Sequence, residues 1–536
     1  MYFKRNKQNK NQQNVQNHTT EEKISSSLTA NLDWIKKKTG ESSDLVIRPI
    51  KAGVNFDLNA TIVFIEGIVE GASINDFLIK SILSYQNWKE VIATEQIFDI
   101  ISEQVISLGS TKKICEWNDL FLSLMAGESI ILVDGVVGAL SASTTGGEKR
   151  SVSEPTAENV VRGPQQAFTE SIRTNTGLVR RIIKNPDLWL ESLKIGKMTN
   201  TDVAIMFIKG TANEKVVEEV RSRLQRIDID SILESGYIEQ LVEDQTLTTF
   251  PTLYHTQRPD AVAGNLLEGR IAIFVDGTPY VLLAPAVFIQ FFQSTEDYYT
   301  RFDIATSIRL LRVIIFIISI LGPAIYIAAT TFHQEMIPTQ LLVIIAAQRE
   351  SVPFPTLIEA FIMEVVFEIL REAGIRLPKV VGSTVSIVGA LVIGQAAVQA
   401  GIVSPVMVIV VAITAMANFA TPAFSIAISA RLIRFLFMFV AAVFGFYGIV
   451  LGIIMLIVHL CSLRSFGTPY MTPLAPFIPA NIGDSIVRQP LWAINKRPKL
   501  ISKENETREG HGLKPQPDDE RGMKNSTLKK GDQNEV

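Results

Sequence analysis

VVGSTVSIVGALVIGQAAVQAGIVSPVMVIVVAITAMANFATPAFSIAISA, residues 380–430, runs for fifty-one residues without a charged side chain. A helix rises about 1.5 Å per residue, so about 20 residues cross a hydrocarbon layer of about 30 Å. The stretch therefore predicts two membrane-crossing helices, 380–402 and 406–428, parted near Gly401 and Pro405. Outward from it, Val313–Phe332 is uncharged, and Phe435–Leu463 carries only His459. Each predicts one more span, 313–332 and 435–463.

Between the first two windows the pattern changes. Residues 356–376 read as a helix, yet carry Glu359, Glu364, Glu368 and Glu372. At 100° per residue the last three share one stripe. The apolar residues of this helix offer about 3–5 kcal/mol towards insertion, whereas three carboxylates cost about 7–10 kcal/mol. The helix cannot face lipid alone. An ionisable group at membrane depth marks function by default, and a ring of such stripes from several copies would line a cation path. Glu364, Glu368 and Glu372 are thus candidate pore-lining residues. The same pattern fits an amphipathic helix lying in the interface, or a buried pair such as Glu368 with Arg371. Ile337–Ala347 is apolar but too short to cross. Arg301, Arg309 and Arg312 precede the first span, and Arg464, Arg488, Lys496, Arg497 and Lys499 follow the last. Both ends are therefore expected in the cytoplasm, with four to six spans and Arg431 and Arg434 on the outer side.

The N-terminal half is a duplication. TIVFIEG at 61–67 reappears as AIMFIKG at 204–210, and GESIILVDG at 127–135 as GRIAIFVDG at 269–277. Two matches at nearly one offset signal an internal repeat. In each, an apolar strand leads into an amphipathic helix, the first opening with Ser73 and Asp76 in the form of a capping box. Asp134-Gly135 and Asp276-Gly277 suit tight hairpins. The expected fold is an α/β cytoplasmic N-terminal region of two similar subdomains, 40–150 and 151–305, followed by an all-α polytopic transmembrane bundle, 306–465. A polar tail, 1–39, without the apolar stretch of a secretory signal, is expected to be disordered, and 466–536 is expected to be Pro-rich and then a disordered polar cytoplasmic tail. Ser141–Glu158 reads as a mobile connector. Glu154, Glu158, Arg162 and Arg173 are candidate partner contacts, the alternative being a solvated face.

A net charge of -3 with no basic stripe excludes nucleic acid as a partner. Two cysteines and five scattered histidines supply no metal site. With no nucleophile elbow and no phosphate loop, no catalytic residue, cofactor or enzyme activity is expected.

Further motifs carry a resemblance: EPTAENVVRGP at 154–164 continuing as QQAFTE, NTGLVRR at 175–181, IDIDSIL at 227–233, RPD at 258–260, VDGTP at 275–279, EDYY at 296–299, PFP at 353–355 with Glu359, EAGIRLP at 372–378, TPY at 468–470 and RP at 497–498. In this order, over roughly residues 40–500, the chain resembles the GerA family, the A subunits of nutrient germinant receptors in endospore-forming bacteria. The resemblance implies a multi-pass protein of the spore's inner membrane, assembled with a transporter-like, nutrient-binding B subunit and a lipoprotein C subunit. It also implies a homo-oligomer forming a ligand-gated cation channel whose opening starts germination. A non-conducting scaffold of the same complex, or a sporulation-specific paralogue, are the alternatives.

Overall fold

The computed structural model describes residues 23–52, 58–85, 97–106, 110–146, 158, 160–376, 394–502 and 505–508. The chain divides into two units, Met1–Ala286 with Leu463–Tyr470, and Val287–Ser462 with Met471–Val536. Each is described by itself.

The first unit holds two five-stranded antiparallel sheets. One is built from β1 (Leu45–Ala52), β2 (Leu58–Ile65), β3 (Thr111–Ile114), β4 (Ser129–Val133) and β5 (Ala139–Ala142), in the order β1-β2-β4-β5-β3. The other repeats it with β6 (Leu188–Ile195), β7 (Thr201–Ile208), β8 (Tyr254–Thr256), β9 (Ile271–Val275) and β10 (Val281–Ala284), in the order β6-β7-β9-β10-β8. The duplicated stretches are β2 and β7, paired with β4 and β9 at the centre of each sheet. Every residue of β4 and β9 is buried, which explains why these strands read as unbroken apolar runs.

The repeat extends further than its strands. Helices α1 (Leu28–Thr39) and α2 (Ile172–Ile182) open the two copies, with Ser27 and Ser171 as side-chain caps. Asp134 and Asp276 do more than turn a hairpin: each carboxylate accepts the first backbone N–H of its helix, from Leu28 at 3.2 Å and Ile172 at 3.0 Å. Asn31 and Asn175 bracket the preceding segment alike, donating at 2.6 Å to the Ser25 and Thr169 carbonyls. Residues 24–39 therefore belong to the first subdomain, correcting their expected place in a disordered tail. Ile24 and Ile35 are core residues, and Gly40 ends α1 in the left-handed conformation.

The two subdomains meet at a buried junction. Arg180, 2 % exposed, grips Asp44 through Nε at 2.7 Å and Nη2 at 2.9 Å, and donates to the Leu188 carbonyl at 2.6 Å. Gly177 lies so close that a Cβ there would stand 2.5 Å from the Gly67 carbonyl oxygen.

Three local expectations change. Ser73 caps nothing; it sits inside a π-helical turn, Ser73–Ile79, and donates to Glu70. Of the expected connector, Ser141 lies buried in β5 and Thr144 bonds Ser129 at 2.7 Å, while 147–157 fall outside the described residues. The Leu463–Tyr470 hairpin joins the first unit, with Ser465 Oγ donating to Thr252 at 2.6 Å and the Phe466 ring 4.5 Å from the Arg223 guanidinium. The expected boundaries at 305 and 465 therefore move to Ala286 and Ser462.

The second unit is helical. Among the described residues two helices are long and apolar enough to cross a membrane, which here we label α5 (Phe302–Thr331) and α9 (Phe424–Ser462). Between α2 and α5 the first unit adds α3 (Glu214–Gln225) and α4 (Ser235–Val242). Between α5 and α9 lie α6 (Thr339–Arg349), α7 (Thr356–Arg376) and α8 (Pro405–Phe419). Only 22 % of the apolar window of α9 is buried within the chain. A Cβ on Gly322 of α5 would stand 2.9 Å from Thr414 Oγ1 of α8, so these helices pack closely at that point.

The expected span 406–428 is divided: α8 ends at Phe419 and α9 starts at Phe424 rather than at 435. Pro422 lies in the break, where its missing N–H and bulky ring disfavour a continuous helix. Arg431 and Arg434 consequently lie within a helix and are buried. Gly445 interrupts α9 with φ 60° and ψ -145°, a conformation only glycine tolerates. The expected span 380–402 is described only from residue 394 onward.

Candidate functional site

The acidic stripe of α7 meets the arginines of α9. Three residues apart on a helix, Arg431 and Arg434 share a face, as do Glu364 and Glu368. Glu364 is fully buried, and its Oε2 lies 3.0 Å from Nη1 of Arg434, which is 1 % exposed. Glu368 receives Arg431 Nη1 at 3.3 Å, Arg434 Nη2 at 3.6 Å, and Arg371 from its own helix. Arg431 is further steadied by the Ala427 carbonyl at 3.3 Å and by the Phe424 ring, 5.8 Å away.

Glu372 differs. It pairs at 2.7 Å with Arg376 and its side chain is 55 % exposed. Glu359, fully buried one turn before Glu364, accepts the Ser404 N–H and hydroxyl, each at 2.5 Å, and so holds the start of α8.

The cluster is neither neutral nor saturated. Two carboxylates face three guanidiniums, a formal charge of +1. Glu364 Oε2, Glu368 Oε1, Arg371 Nε and Arg434 Nε are buried and make no hydrogen bond among the described residues. Of the three expected stripe residues, the structure brings Glu364 and Glu368 into one ion-paired site and leaves Glu372 at its edge. Sequence reading missed Arg431 and Arg434, although their three-residue spacing beside an apolar run was a usable signal.

The expected partner contacts divide. Glu154 lies outside the described residues. Glu158 is turned into the second subdomain, accepting the Thr256 hydroxyl at 2.7 Å, and burial pushes its pKa up to about 7. Arg162 is exposed. Arg173 pairs with Glu66 at 2.9 Å beside a cavity of about 380 Å³, also lined by Arg48, Asn75, Ser171 and Arg181. Among the described residues no group of three metal-binding side chains occurs.

The chain thus combines a duplicated α/β unit with a helical unit whose apolar helices bury an ion-pair cluster. The family model described as Bacillus/Clostridium GerA spore germination protein matches residues 33–500. The chain belongs to the GerA family of spore germination proteins, germinant-receptor subunits that are not enzymes. It is 60 % identical to spore germination protein KA of Bacillus subtilis strain 168, over 95 % of this chain and 93 % of that protein. An uncharacterized membrane protein of the same organism, YfkQ, is 44 % identical over 90 % of this chain and 93 % of its own. Among solved structures, the N-terminal domain of the A subunit of the Bacillus megaterium germinant receptor GerK3 is 54 % identical. It covers 51 % of this chain and all of that one, with a TM-score of 0.42.

Proposed function

We propose that the chain is the membrane-embedded A subunit of a germinant receptor, working with B and C subunits and oligomerising into a nutrient-gated cation channel. In this reading the protein spans the membrane several times, with both ends cytoplasmic, and α7 borders the conduit. The observation that carries it is the Glu364–Arg434 pair. A carboxylate buried among apolar helices is costly unless paired, and this pair ties α7 to α9. Glu372, with its side chain 55 % exposed, is the carboxylate that would face passing cations. Opening would shift α7 relative to α9.

The test is potassium flux through liposomes holding the receptor, with Glu372→Gln and Glu368→Gln compared with the parent chain. Nutrient-dependent flux reduced by both substitutions is expected; no flux under any condition contradicts the reading.

A second reading, a non-conducting scaffold, draws on the same cluster, since Glu364 and Glu368 are satisfied by arginines of their own chain. It predicts normal germination by Glu368→Gln and Glu372→Gln spores.

A further inference from the structure

A second charged cluster lies in the helical unit, away from α7. Asp297 is held by Arg309 Nε at 2.9 Å and Arg312 Nη1 at 2.8 Å. Asp484, which follows the helices, takes Arg309 Nη1 at 3.1 Å and the Tyr298 hydroxyl at 3.0 Å. The Arg309 and Arg488 guanidiniums lie 5.3 Å and 5.5 Å from the Tyr298 ring. Thr306 Oγ1 donates to the Arg488 carbonyl and accepts its N–H, both at 3.1 Å.

The charges do not cancel. Three guanidiniums face two carboxylates, leaving +1. Arg309 is 1 % exposed and Arg488 3 %. Yet Arg309 Nη2 and Arg488 Nε are buried without a hydrogen-bond acceptor among the described residues. Burial is the main influence on Arg488 and lowers its pKa, as for a cation short of counter-charge. A buried guanidinium with idle donors is unfavourable unless an anion completes its shell.

Position indicates which anion. Arg309 precedes the apolar run at Val313 by four residues, about 6 Å of helix. The headgroup layer beside the hydrocarbon is about 5–7 Å thick on each side. Arg312, 13 % exposed, borders the surface.

We propose that Arg309, Arg312 and Arg488 form a phosphate-binding site for the headgroup phosphodiester of an anionic membrane lipid. The planar guanidinium fork matches phosphate oxygens in pairs, and basic pockets beside membrane helices suit such headgroups. Asp297 and Asp484 act as positioning residues that aim the arginines. A lipid seated there would bridge the start of α5 to the segment around Asp484. The site rests on the reading that α5 crosses a membrane.

The test uses the full chain in nanodiscs of neutral lipid doped with phosphatidylglycerol, with retained lipid counted by native mass spectrometry. Retention of phosphatidylglycerol over neutral lipid is expected, weakened about tenfold or more by Arg488→Gln and largely kept by Arg488→Lys. Carbonate extraction of the same samples separates outcomes: a chain that leaves the membrane overturns the spanning reading instead. A second arm adds inorganic phosphate to purely neutral nanodiscs and follows it by phosphorus NMR. Saturable binding there, lost in Arg488→Gln, supports the site but transfers it to a soluble phosphate. No preference for phosphatidylglycerol and no phosphate binding overturns the proposal.

Discussion

Removing Arg434 is expected to damage this protein more than removing Arg434 and Glu364 together. At 3.0 Å the two charges attract by about 5–6 kcal/mol in an effective dielectric of 20. Dehydrating both ions consumes most of that gain, so the intact pair contributes little net stability. Arg434→Met alone leaves Glu364, which has no exposed surface, without its partner; the expected loss is about 3–5 kcal/mol. Adding Glu364→Gln removes the stranded charge and should restore stability to within about 1–2 kcal/mol of the parent. The assay is a double-mutant cycle on the full chain in detergent, followed by thermal or denaturant unfolding. A coupling of about 2 kcal/mol or more is expected, whereas effects additive within about 0.5 kcal/mol would refute a locked pair.

Other consequences are checked in the first unit. Arg180→Met strands Asp44 at the subdomain junction and should cost about 3–5 kcal/mol, read by unfolding. Gly177→Ala forces a Cβ against the Gly67 carbonyl and should cost about 1–3 kcal/mol, against little for Gly264→Ala, where the space is open. Arg173→Ala removes a pair whose side chains are 73 % and 41 % exposed, and should change stability by less than about 1 kcal/mol. Burial, then the Glu243 and Glu234 carboxylates, push Glu239 up from 4.5 to about 7. Between those values the folded chain keeps a proton that the unfolded chain has released. Stability conferred at acidic pH is therefore lost as pH rises through that window, then levels off. Hydrogen exchange across α4 should show that slope, and Glu239→Gln should flatten it.

The sequence repeat located β2, β4, β7 and β9 because central strands need continuous apolar runs. It missed α1, whose polar surroundings resemble a tail; the matched Asn31 and Asn175, 144 residues apart, carry the duplication that far. Hydropathy found the apolar helices but misplaced the break, since composition barely changes across Thr421-Pro422 while backbone hydrogen bonding does. The acidic stripe was legible from helical spacing alone. Of its partners only Arg371 was: pairing α7 with α9 depends on tertiary packing across more than sixty residues, which no local pattern records.

The central claim is that α7 is locked to α9 at rest and shifts when nutrient opens a path beside it. Single cysteines from Phe361→Cys to Glu372→Cys, labelled in spores with a small charged thiol reagent, test it most directly. Position 372 should react in dormant spores, while position 363, where the native Met is buried and the Glu364–Arg434 pair is left intact, stays protected until nutrient is added. Protection at 363 that never changes, or equal labelling at every position in both states, would contradict it.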